Sequence, residues 1–205
     1  MRALLQRQTS WAEAASGLPL LLCALVMLAS AAPADELPKE KGVARTVKMF
    51  DMFCLAQLPD IEAIERFAGF GEFAQIFGAD LAPYRSGVPD EKVLAWRFHD
   101  FGAELILTAR RAKPDAAEKQ AHPAFANGRI VACSLLIPND APQADIVKEL
   151  TTRMGRAPDE ARDEAETHVS AWNNETPKAV GRVVFRAPAD KSAKAALSAS
   201  ATVKD

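Results

Sequence analysis

The chain has 205 residues, of which 49% are apolar, and its formal net charge at pH 7 is -2. This length allows one domain of ordinary size together with a targeting segment and a tail. Nucleic-acid binding usually shows as clustered lysine and arginine, so the balanced charge argues against a nucleic-acid partner.

The N-terminal residues 1–34 have the three parts of a secretory signal peptide. Arg2 and Arg7 give a basic start, residues 18–28 form an apolar core, and alanine and serine follow. The pattern predicts cleavage before Asp35, with the bond before Ala32 as second choice. We therefore expect an exported protein, periplasmic or extracellular, that has no contact with a membrane after cleavage.

A second interpretation keeps the same segment as an uncleaved anchor. About 20 apolar residues suffice for a membrane helix, and residues 14–34 carry no charge. The protein would then be a signal-anchored domain that faces outward.

After the signal, residues 35–44 are charged and contain proline and glycine, so we expect an exposed leader. A single α+β domain is predicted over residues 45–187. Its first part, residues 47–77, has phenylalanine and other apolar residues at helical spacing, with a break at Pro59. This phenylalanine cluster fits an ordinary core better than the lining of a ligand cavity.

The period then changes from helix to strand. Residues 93–99 and 103–110 alternate apolar and polar side chains around a turn, which predicts a hairpin. A polar, exposed connection over residues 111–127 leads to residues 129–137, the most strand-like run in the chain. Both faces of that run are apolar or small, so we expect it at the centre of the sheet.

A helix that ends at Gly155 is predicted next, with Pro142 in its first turn. Residues 156–166 are expected to form a charged loop with a short helical piece. Two further strands, residues 168–172 and 180–187, predict a second hairpin. Residues 188–205 have almost no large apolar side chain and are predicted to be a disordered tail.

The predicted fold class is therefore α+β. We expect a mostly antiparallel sheet of about five strands, covered by helices on one face, in the order α-βββ-α-ββ.

Cys54 and Cys133 are the cysteines that follow the signal, and they lie 79 positions apart. Two cysteines in an oxidising compartment usually pair, so a disulfide is predicted. The chain-entropy model credits such a loop with roughly 4 to 5 kcal/mol. A reactive role is less favoured, because neither cysteine lies in a C-x-x-C pair or near a histidine in sequence.

No catalytic, metal or cofactor motif is present in the sequence, and we expect no catalytic residue, metal or cofactor. The histidines are isolated and no serine lies in G-x-S-x-G. One local group is a candidate surface site, because a histidine and an aspartate adjoin at a strand end beside two aromatic residues. Its members are Trp96, His99, Asp100 and Phe101.

These observations favour a non-catalytic binding or envelope-accessory domain. Its partner would be another envelope or secreted protein, or a small apolar ligand. The alternative is a small exported hydrolase whose active site is assembled from distant residues.

Overall fold

The structure is a computed structural model that describes residues 42–204. The predicted signal peptide and the anchor alternative lie outside these residues. Within them no helix combines the length and the apolar character needed to cross a membrane. The helical elements are α1 (Gly42–Phe50), a π-helical turn (Asp51–Leu55), α2 (Ile61–Phe70), a 3-10 turn (Gly78–Tyr84), α3 (Ala116–Ala121), a second 3-10 turn (Pro123–Phe125) and α4 (Gln143–Met154).

Within residues 42–204, eight strands form one sheet in which every paired neighbour is antiparallel. The order across the sheet is β1-β2-β3-β4-β8-β7-β6-β5. The strands are β1 (Ala74–Gln75), β2 (Lys92–Asp100), β3 (Ala103–Ala112), β4 (Arg129–Ile137), β5 (Glu160–Glu164), β6 (Thr167–Glu175), β7 (Ala179–Pro188) and β8 (Ala195–Val203).

The predicted α+β class is confirmed, and β4 is a central strand. Both predicted hairpins are present, as β2–β3 and β6–β7. The first turns at Phe101 and Gly102, whose φ angles of 48° and 82° suit a tight two-residue connection. The predicted stop of α4 is confirmed at Gly155, which has a left-handed backbone with φ 68°.

The predicted number of about five strands is wrong, since the sheet has eight. β5 lies in the segment expected to be a charged loop. It is an edge strand that pairs with β6 alone and is mostly exposed, so its residues need no apolar face. β1 has only two residues and offers no periodicity to detect.

The predicted disordered tail is also wrong, because it contains β8 between β4 and β7. Leu197 and Ala199 are buried on the side that faces the helices, whereas Ser198 and Ser200 alternate with them on the other side. The strand needs no large side chains of its own, since Leu135 and Phe185 on the neighbouring strands fill the space beside Leu197.

The main core lies on one side of the sheet, called here the helix side, where α1, the π-helical turn, α2 and α4 pack against it. Phe53 is fully buried there, and its ring contacts those of Phe67, Phe73 and Phe98. Burial of one such side chain contributes about 1.5–3 kcal/mol. The phenylalanine cluster is thus mainly core, although Phe70 and Phe77 are exposed.

The predicted cover of helices on one face describes the sheet only in part. The other side of the sheet, called here the outer side, is partly covered by the 3-10 turn Gly78–Tyr84. Leu81 and Tyr84 of that turn pack on a small cluster around Ala95 and Ile106. On the helix side, the ends of β7 and β8 keep partly exposed apolar residues. Both sides therefore combine covered and open areas.

Candidate functional site

The Cys54–Cys133 disulfide, which the sequence predicts, joins the π-helical turn to the central strand β4. The two Cα atoms are 5.3 Å apart and both side chains are buried. Cys133 lies between Ala109 on β3 and Ala199 on β8. The bond therefore holds the segment that follows Cys54 close to the β4–β8 part of the sheet.

An apolar groove opens beside this bond, on the helix side of β6, β7 and β8. Its cavity volume is about 550 Å³. One wall is the segment after the disulfide, with Leu55, Leu58 and Pro59, and the wall toward β6 has Met154, Arg156 and Trp172. The floor consists mainly of Ala179, Gly181, Val183, Ala199, Ala201 and Val203.

The floor is open because the side chains on β7 and β8 are smaller in the groove than in the core. Phe185 lies opposite Leu197 in the core, and Gly181 lies opposite Ala201 in the groove. A Cβ atom built on Gly181 would meet no atom closer than 3.6 Å. The small residues Gly181 and Ala201 thus leave space on the floor of the groove.

The wall toward β6 is held by polar contacts around Arg156. Trp172 Nε1 donates a 3.0 Å hydrogen bond to the carbonyl oxygen of Arg156. The guanidinium of Arg156 pairs with Asp159, whose Oδ2 also accepts a 2.6 Å bond from the Asn173 backbone N–H. The Arg156 guanidinium and that N–H together hold the pKa of Asp159 below its usual range. The charged Asp159 side chain thus connects Arg156 to the Asn173 backbone and stabilises this wall.

The groove has the volume for a small molecule. Its lining is mainly aliphatic with Trp172, and its polar residues are Arg156, Asn174, Thr176, Arg182 and Ser200. Among residues 42–204, no cluster of three or more His, Cys, Asp or Glu side chains could hold a metal ion. Cavities of roughly 300–1,000 Å³ with mostly apolar walls and a few polar groups are typical of small-molecule sites.

The predicted surface site is divided between the two sides of the sheet. Trp96 is 3% exposed in the main core, and Asp100 lies on the same side of β2. Asp100 accepts bonds of 2.7 Å and 2.5 Å from Nε and Nη2 of Arg45 on α1. This partly buried pair joins the first helix to the β2–β3 hairpin.

The remaining two residues of that site are exposed. His99 points to the outer side of β2, and Phe101 forms the tip of the hairpin, with its ring 4.8 Å from the Arg45 guanidinium carbon. The structure therefore brings Asp100 and Phe101 together through Arg45, but separates Trp96 from His99. A surface site at the two exposed residues, His99 and Phe101, stays a prediction.

A second cluster, which the sequence does not reveal, links β5 to β6. His168 Nδ1 lies 3.0 Å from Asp163 Oδ1, and its Nε2 lies 3.0 Å from the Ser170 hydroxyl. Asp163, His168 and Ser170, called here the relay, are thus connected in the same order as the groups of a serine hydrolase triad. Ser170, however, has no exposed surface, so a substrate carbonyl has no access to its oxygen.

Comparison of the chain with protein-family models, with curated proteins and with solved structures gives no match. The apolar groove is therefore the candidate site on geometry alone. Sequence reasoning misses it because half of its floor belongs to β8. The sequence pattern that indicates β8 is the alternation of apolar and polar residues, which is typical of a strand: Leu197, Ala199 and Ala201 alternate with Ser198 and Ser200.

Proposed function

We propose that this chain is an exported, non-catalytic binding domain and that the apolar groove holds a small apolar ligand. The observation that supports the proposal is the unfilled floor at Gly181 and Ala201 between two apolar walls. Export is supported by the signal-like residues 1–34 and by the Cys54–Cys133 disulfide, since such bonds persist mainly in oxidising compartments.

The energetics favour a ligand with an aliphatic chain. Burial of one methylene group contributes about 0.8 kcal/mol, so a chain of about ten carbons gains roughly 8 kcal/mol. Association costs about 4 kcal/mol or more in lost freedom. Because this cost reaches about 15 kcal/mol at its upper end, a shorter apolar molecule would bind weakly, and measurable binding of a chain of about ten carbons requires a cost near the lower end.

A neutral fluorescent probe tests this proposal directly. N-phenyl-1-naphthylamine is titrated into the protein and then displaced with 1-decanol. Both compounds are uncharged, so charged parts of the surface should not attract them. We expect saturable probe binding and competition by the alcohol.

Two matched variants locate the binding. Ala201→Leu places a larger side chain on the groove floor, whereas Ala196→Leu makes the same change on the same strand but on the outer side. We expect Ala201→Leu to weaken probe binding at least tenfold and Ala196→Leu to leave it unchanged. Equal affinity in both variants, or no saturable binding to the unmodified protein, would contradict the proposal.

A small exported hydrolase is the second candidate function, and the relay of Asp163, His168 and Ser170 is the observation that favours it. Its distances suit proton transfer from the serine hydroxyl to the histidine. Catalysis would require Ser170 to become accessible, which its full burial opposes. The binding function therefore has the stronger support.

A further inference from the structure

A second cavity, called here the arginine trough, lies on the outer side of the sheet, opposite the main core. Its volume is about 400 Å³. The floor is formed by short side chains of β4 and β8, where Ala132 pairs with Ser200 and Ser134 with Ser198. The Ser134 and Ser198 hydroxyls are 2.9 Å apart and bond to each other. The trough therefore has a narrow polar floor in the middle of the sheet.

Four arginines line the trough, on both sides of this floor. Arg110 of β3 and Arg85, which follows the 3-10 turn, lie toward the β2–β3 side. Arg182 and Arg186 of β7 lie on the other side. Their positions differ by up to 101 in the sequence, so only the folded arrangement of β3, β7 and the segment after the 3-10 turn brings them together.

The segment that carries Arg85 is fixed in place by Glu91. The Glu91 side chain is 3% exposed and accepts a 2.7 Å bond from the Ser86 hydroxyl, and further bonds from the Ser86 N–H. The same carboxylate lies 3.4 Å from Arg110 Nη1. Arg85 is therefore held at the trough by its neighbour Ser86.

Two of the four arginines are neutralised and two are not. Glu91 pairs with Arg110, and Glu160 accepts bonds of 3.1 and 3.2 Å from Arg182 Nη2. Among residues 42–204, no carboxylate pairs with Arg85 or Arg186, both of which are exposed. Arg85 and Arg186 thus give the trough an excess of positive charge, in a chain whose net charge is negative.

We infer that the arginine trough binds a low-molecular-weight anion that bears carboxylate or phosphate groups. Guanidinium groups bind both through paired, charge-assisted hydrogen bonds. The serine hydroxyls of the floor supply further donors and acceptors for the body of such a ligand. The trough and the apolar groove lie on opposite sides of the sheet, so this inference does not depend on the proposed apolar ligand.

Isothermal titration calorimetry with citrate and with inorganic phosphate tests the inference, at low ionic strength and again at matched chloride concentration. We expect saturable binding of at least one of the two anions. Added chloride should weaken the binding, because Arg85 and Arg186 are exposed and salt screens exposed charges.

Three charge-matched variants locate the anion. Arg186→Gln and Arg85→Gln each remove one unpaired cation from the trough, whereas Arg66→Gln removes an exposed arginine from α2. We expect about tenfold weaker binding for each trough variant and no change for Arg66→Gln. Ala201→Leu, which fills the groove, should bind the anion normally. The inference fails if neither anion binds, or if Arg66→Gln weakens binding as much as the trough variants.

Discussion

Gly181 on β7 lies directly opposite Ala201 on β8, two helix-side rows beyond the buried pair of Phe185 and Leu197. Between these rows, Val183 faces Ala199. On both strands the side chain in the groove row is thus smaller than the side chain in the core row. The core ends in an open groove because the two neighbouring strands lose side-chain volume together.

The first prediction concerns Gly181. Its backbone is not left-handed, and a Cβ atom there would meet only ordinary van der Waals contacts. Gly181→Ala should therefore raise the free energy of unfolding by about 0.5–1 kcal/mol, because alanine reduces the freedom of the unfolded chain. Chemical denaturation measures this change.

Gly128→Ala is the matched control for that prediction. A Cβ atom on Gly128 would overlap the carbonyl oxygen of Val203, where the chain passes close to the end of β8. This variant should be destabilised. A loss of stability in Gly181→Ala, or no loss in Gly128→Ala, would show that the ends of β7 and β8 are not arranged as described.

The second prediction concerns the disulfide. Because Cys54 and Cys133 close a loop with a sequence separation of 79, their replacement by alanine should lower the free energy of unfolding by about 4 kcal/mol. Neutral-probe binding in the groove should weaken as well, since the bond holds the wall with Leu55 and Leu58. Denaturation and probe titration measure the two effects.

Reductant provides the control. Dithiothreitol should reproduce both losses in the unmodified protein and should leave the Cys54→Ala, Cys133→Ala double variant unaffected. Full probe affinity after verified reduction would mean that the groove wall does not depend on the bond.

The sequence predicts those parts of the fold whose pattern lies within a single continuous segment. The β2–β3 hairpin has alternating residues and a turn glycine, and α4 has a clear stop at Gly155. β8 also alternates, with Ala199 and Ala201 against Ser198 and Ser200, but its small residues resemble those of a disordered tail. Its burial is due to larger residues on β4 and β7 that only the pairing brings close.

The candidate sites are harder to predict from sequence, because both depend on tertiary placement. The groove is an unfilled volume between Leu55 and Met154, and its existence depends on how far apart the π-helical turn and the end of α4 lie. The trough collects arginines from β3, β7 and a loop. No local spacing connects these residues, so a search for motifs cannot find them.

The third prediction concerns acid stability. Arg156 and the Asn173 N–H lower the pKa of Asp159, and the Ala63 N–H lowers that of Asp60. A carboxyl group with a lowered folded pKa stabilises the protein above its unfolded pKa, about 3.9 for aspartate. This contribution is lost as the pH falls through the folded value. The free energy of unfolding should therefore rise with pH across the region near pH 4.

Asp159→Asn tests the sign of this effect. The variant should be less stable than the unmodified protein at neutral pH, and the difference should shrink as the pH falls below about 4. Urea denaturation from about pH 3 to about pH 6 measures it. An equal loss of stability at every pH would show that the charge of Asp159 does not contribute to the stability of the protein.

The last prediction concerns the relay. Ser170 is fully buried, so a serine-directed fluorophosphonate should not label it, although His168 and Asp163 have the order of a hydrolase triad. Ser170→Ala should lower the free energy of unfolding by about 1 kcal/mol, as expected for one lost hydrogen bond. Mass spectrometry of the treated protein and denaturation of the variant measure the two results. Stoichiometric labelling that disappears in both Ser170→Ala and His168→Gln would instead favour the hydrolase, since only an accessible, histidine-activated serine reacts in this way.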